Sequence, residues 1–142
     1  MDRNATVMTR FDEGIECFQK GDFWTAHEKW EEVWRKLKDP YATYIKALIQ
    51  SAAVFHLLSL ERDSAAERLA LRSLELFSGA EAHFQLQGLQ PIFFAPELED
   101  TLLKIAASLK VGHIDREWFA RLGRSQKFQW RTREHGLPLL AD

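Results

Sequence analysis

Only one cysteine, Cys17, occurs in 142 residues. That excludes an intramolecular disulfide framework and any zinc site built on clustered cysteines. Long apolar runs are also missing. The most apolar stretch, Ala47–Leu60, contains Gln50, Ser51, His56 and Ser59. It is too short and too polar to span a bilayer, which needs about 20 apolar residues. Met1–Thr6 is polar and lacks the apolar core of a secretory signal. The expected location is therefore the cytoplasm. No glycine-rich phosphate loop, dinucleotide fingerprint or nucleophile elbow is present, which disfavours nucleotide-dependent enzymes. Excess charge is lacking too. The net charge of −2 does not give the whole chain the character of a nucleic-acid binder. Strand-type alternation is absent as well.

What is present is a helical pattern, with five Trp and five His. The length suits one domain with its own core. Val7, Met8, Phe11, Ile15 and Phe18 recur at helical spacing, and Gly21 ends that run. Asp22 is placed to cap a second helix, Phe23 to about Leu37. Asp39-Pro40 reads as an N-cap and a first-turn proline for a third helix, Tyr41 to about Leu60. This third helix is apolar around most of its circumference, so it is expected at the centre. Ser64 and Glu67 have capping-box spacing for a fourth helix, which runs through Phe77 towards Gln87. Gly88 to Pro96 reads as a connection. A fifth helix is expected over about Glu97–Lys110, stopped by Gly112. Asp115 begins one or two further turns that Gly123 interrupts. Phe18, Ala26 and Trp34 are echoed 40 residues later by Leu58, Ala66 and Leu74. Two packed helical hairpins would explain that echo. The fold class expected is an all-α, compact single-domain bundle of five to six helices built from antiparallel hairpins.

The second helix carries the chemistry. At 100° per residue, Phe23, His27, Trp30 and Trp34 share a sector of about 60°. Ala26 and Leu37 extend it, and Glu31 sits at its edge. A histidine in such a stripe is ordinarily a core residue with a satisfied ring. The sharper reading is a polar pocket. His27 and Glu31, at i and i+4, can present an acid–base pair or two metal ligands on one face. Gln50 and His56 on the apolar third helix need polar partners and are the natural donors to complete it. His27, Glu31 and His56 would form a His₂-carboxylate set suited to a divalent metal. The second His of zinc-protease helices is missing here, and so are paired Glu-x-x-His motifs.

These residues carry a resemblance. The run Phe11-Asp-Glu-Gly14, then Phe18-Gln-Lys-Gly21-Asp-Phe-Trp24-Thr-Ala26-His27-Glu28-Lys-Trp30-Glu31-Glu-Val-Trp34-Arg35, resembles the family called domain of unknown function 309. A second block, Leu48-Ile49-Gln50-Ser-Ala-Ala53-Val-Phe-His56, and a looser third one, Ala65-Ala66 to Leu76, are similar to it as well. The resemblance covers about Phe11–Leu76. It implies a small all-helical fold, found in bacteria, archaea and plastid lineages, with no assigned activity. In a plastid lineage the location would be the stroma. The family's characteristic polar positions correspond to His27, Glu28, Glu31, Gln50 and His56. The usual Gly-Asn-like turn of the third block is replaced here by Glu61-Arg62-Asp63.

Charge divides along the chain. Residues 1–115 hold 13 Lys and Arg against 18 Asp and Glu. Residues 116–135 hold Arg116, Arg121, Arg124, Lys127, Arg131 and Arg133 against Glu117 and Glu134. Trp118, Phe119, Phe128 and Trp130 interleave. Such a segment suits an arm docked on an acidic body, a partner-binding segment, or single-stranded nucleic acid. The expected organisation is a bundle over residues 1–112 and a basic aromatic arm over 113–142. The function expected is a helical binding module. Its pocket would be lined by Trp30, Trp34, His27, Glu31, Gln50 and His56, and its partner a protein segment or small ligand. The alternative is a small, metal-assisted hydrolase with His27, Glu28 and Glu31 as catalytic candidates and His27, Glu31 and His56 as ligands.

Overall fold

The structure is a computed structural model that describes residues 3–89, 93–94, 96–112, 114–125 and 131–132. Its helices are α1 (Arg3–Gln19), α2 (Phe23–Trp34), α3 (Tyr41–Ser59), α4 (Asp63–Leu86), α5 (Pro96–Lys110) and α6 (Arg116–Ser125). Two short strands, β1 (Phe93–Phe94) and β2 (Arg131–Thr132), pair antiparallel. The all-α bundle read from the periodicity is the fold observed. No helix of the described residues is long and apolar enough to cross a membrane.

Helices α1 to α5 pack in consecutive pairs, and α3 lies between α2 and α4. Its buried residues, among them Tyr44, Ile45, Leu48, Ala52, Val54 and Phe55, surround the helix. A helix apolar around most of its circumference, with only a narrow polar face of Thr43, Lys46, Gln50 and His56 left partly exposed, has to be central, because any other position would leave much of it in water. Two serines soften that rule. Ser51 and Ser73, both buried, lie 2.8 Å apart and each 2.8 Å from the Ala47 carbonyl, so one hydroxyl donates to that oxygen while the other donates either to it or to its serine partner. This polar knot satisfies both hydroxyls inside the α3–α4 contact.

The 40-residue echo is a repeat of turn geometry. Gly21 N donates to Phe18 O at 3.0 Å and Asp22 N to Cys17 O at 2.9 Å. Forty residues on, Glu61 N donates to Leu58 O at 3.0 Å and Arg62 N to Leu57 O at 2.9 Å. Both turns are Schellman ends with a left-handed residue, Gly21 at φ 85° and Glu61 at φ 58°. Ala26 and Ala66, each the fourth residue of the helix that follows, are fully buried. Each lets two helices approach closely after the turn.

Several local expectations shift. Helix α2 ends at Trp34 rather than Leu37. Asp22 does cap it, accepting from Thr25 N at 3.2 Å. Asp39 accepts from Thr43 N and Thr43 Oγ1, while Pro40 occupies the cap position one residue later than read. The Ser64–Glu67 capping box does not form, because α4 starts at Asp63 and Arg62 takes the cap position. Gly123 lies within α6 and does not interrupt it. Glycine costs only about 1 kcal/mol inside a helix that packing supports.

The start of the basic segment is docked. Arg116 Nη1 donates to Leu58 O at 3.0 Å and Nη2 to Asp63 Oδ1 at 2.6 Å. Phe119 stacks on Phe55, with centroids 5.7 Å apart. Arg121 is exposed. The side chains of Arg124, Lys127, Arg131 and Arg133, the contacts named for the nucleic-acid alternative, lie outside the described residues.

Candidate functional site

Helix α2 is rolled relative to the simple stripe. Its buried residues are Phe23, Ala26, Trp30 and Val33. Small Ala26 and compact Val33 allow close packing on the α1 and α3 sides. His27 and Trp34 are thereby moved to the flank. Trp24, His27, Glu31 and Trp34 then share a sector of about 80° beside the core. Trp24, absent from the set expected from sequence, is the residue that organises this flank. Its signal was its spacing, three residues before His27 and seven before Glu31.

Trp24 is 50% exposed. Its indole lies flat against the His27 imidazole, with centroids 4.9 Å apart and planes 7° apart. The same indole meets His56 of α3 at 5.3 Å, tilted by 43°. His27 Nε2 faces Glu31 Oε1 at 3.5 Å, and Glu31 Oε2 lies 3.6 Å from Arg35 Nη2. His27 Nδ1 is buried with no hydrogen-bond partner. The His27 side chain is 18% exposed and Glu31 38% exposed, so the polar end of this cluster reaches water.

The remaining candidates are placed elsewhere. Trp30 is fully buried, and its Nε1 donates to the Phe11 carbonyl at 3.2 Å. It therefore serves the core and lines no open pocket. Trp34 is 36% exposed at the far end of α2, beside Lys46. Glu28 is exposed. Gln50 is half-buried, and among the described residues no hydrogen bond joins it to His27, Glu31 or His56.

The three-ligand metal set does not form. Among the described residues no group of three or more His, Cys, Asp or Glu side chains is placed to hold a metal ion. The physical reason is Trp24, whose ring packs against both imidazoles that the metal would have joined. Cys17 is no substitute nucleophile. Burial, and next Asp22, push its thiol pKa up, which suppresses the thiolate.

A half-exposed indole, two imidazoles and a carboxylate–guanidinium pair present an apolar plate with donors and acceptors at its rim. Residues 11–69 match the family described as Domain of unknown function (DUF309). That segment contains α2, α3 and every residue of the flank, which agrees with the resemblance read from the sequence. No curated protein and no solved structure matches the chain.

Proposed function

We propose that the DUF309 segment of this chain is a helical binding module that recognises a partner segment or small ligand on the α2–α3 flank. One observation carries the reading. Trp24 is held in a fixed orientation by His27 and His56, yet half its surface stays in water. Rigid, partly exposed Trp side chains supply large contact area at low entropic cost, and they dominate binding energy at interfaces. His27 and Glu31 then set direction through hydrogen bonds. The hydrolase alternative at His27, Glu31 and His56 draws on the His27–Glu31 contact alone. Glu28 is exposed, and among the described residues no hydrogen bond or ion pair joins it to the cluster to give it a catalytic role.

A fragment screen read by ¹⁵N-resolved NMR tests this. Hits should shift the Trp24 indole N–H together with amides near His27 and His56. Trp24→Ala should abolish those hits while its melting temperature stays close to that of the parent. Hits that never touch this flank, or that survive Trp24→Ala unchanged, would overturn the reading.

A further inference from the structure

Trp34 closes α2, and the chain doubles back through Leu37 and Asp39 into α3. The elbow encloses an open cleft of about 510 Å³. Small-molecule sites typically occupy roughly 300–1,000 Å³. Trp34 forms one wall, and Leu37 and Ala42 also line the cleft. From α3, Lys46 sets its Nζ 5.5 Å from the centre of the Trp34 ring. Among the described residues Lys46 forms no ion pair. Arg35 stands beside it, 68% exposed and only loosely engaged with Glu31. Asp39 is the acid that lines the cleft, and it is already committed. Its Oδ1 accepts from Thr43 N at 3.1 Å and from Thr43 Oγ1 at 2.7 Å.

The cleft therefore holds an ammonium against an aromatic wall, with no ion-pair partner among the described residues, next to a second cation; with the Asp39 carboxylate counted, its lining still carries a net positive charge. The ring orients Lys46 and removes part of its hydration, so less ordering remains for a ligand to bring about. Trp24 and Trp34 are ten residues apart, or about 15 Å along α2, which makes this a place distinct from the Trp24 flank. We propose that the elbow is a second, separate site for a small oxyanion carried on a flat apolar body, of the aryl carboxylate or aryl phosphate class. The oxyanion would meet Lys46 and Arg35, and the flat body would lie against Trp34.

The test titrates the full chain with phenyl phosphate, benzoate, inorganic phosphate and benzyl alcohol. The readouts are the Trp34 indole N–H and the Thr43 and Lys46 amides. Phenyl phosphate or benzoate, whichever fits the natural oxyanion, should shift them saturably. Inorganic phosphate and benzyl alcohol, each lacking half of the recognised group, should bind about ten-fold more weakly or worse. Lys46→Gln should weaken binding about five-fold, and Lys46→Arg should retain it within about two-fold. The distant exposed variant Lys110→Gln should match the parent. Absence of saturable shifts from both aryl anions would overturn the proposal, as would equal binding by Lys46→Gln. Shifts confined to Trp24 and His56 would also overturn it while leaving the first flank standing.

Discussion

Gly14 of α1 sits directly beneath the indole of Trp30 of α2. A Cβ built on Gly14 would lie 2.2 Å from Trp30 Nε1 and 2.5 Å from its Cδ1. No side chain fits there, and the ring cannot retreat because Phe11 and Phe18 stack on it at 6.1 Å and 5.7 Å. Gly14→Ala should therefore destabilise the protein by about 1–3 kcal/mol through overpacking. Urea denaturation measures this directly, and an unchanged midpoint would show that the α1–α2 contact yields.

Two tryptophans on one helix should respond to different degrees. Trp30→Phe loses the hydrogen bond to Phe11 O and leaves a gap, a cost of about 2 kcal/mol. Trp24→Ala changes a half-exposed ring and should cost under about 1 kcal/mol. Thermal melts of the two variants check the contrast. A reversed order would contradict the placement of one residue in the core and the other on the half-exposed flank.

The repeat of turn geometry makes Glu61 a correctable weakness. It occupies at φ 58° the position that Gly21 takes at φ 85°. A left-handed conformation costs a residue with a Cβ about 1 kcal/mol. The contact of Glu61 with Arg116, at 4.0 Å, is exposed and contributes little. Glu61→Gly should stabilise the protein by about 0.5–1 kcal/mol in chemical denaturation, and a net loss would show that the contact matters more.

Glu99 gives the fold a pH dependence. Burial, followed by the charge and hydrogen bond of Glu81 and the charge of Asp100, pushes its pKa up to about 8 from an ordinary 4.5. Between those values the folded state holds a proton that the unfolded chain releases. Stability from this residue is complete below about pH 4.5, falls as pH rises, and is lost above about pH 8. Glu99→Gln should melt several degrees higher than the parent near pH 8 and close to it at pH 4.5. Parallel melting curves across that range would show that Glu99 ionises normally.

Arg116 fastens α6 to the α3–α4 turn. Its two bonds, to Leu58 O and Asp63, use the planar geometry of the guanidinium. Arg116→Ala should raise hydrogen exchange in α6 about ten-fold while leaving α3 protected, and Arg116→Lys should not restore it. Unchanged exchange in α6 would mean that Phe119 on Phe55 suffices to hold the helix.

The helices themselves were written locally. Period, Gly21, Asp22 and the apolar circumference of α3 depend on near neighbours, so they could be read from residues in order. The same holds for the 40-residue echo, because a Schellman turn needs only its own few residues. The roll of α2 was not local. Phe23, His27, Trp30 and Trp34 form a plausible stripe, but Ala26 and Val33 pack more closely against α1 and α3 and turn the helix about its axis. That rotation buried Trp30 and placed Trp24 between recognition by water and contact with two imidazoles. It also separated His27 from a shared metal with His56. By itself the sequence determined which segments are helical and which helix is central, because backbone and burial preferences are short-range or summed along a segment. Only the tertiary structure decided which aromatic faces water, because that depends on the shapes of neighbours distant in the chain.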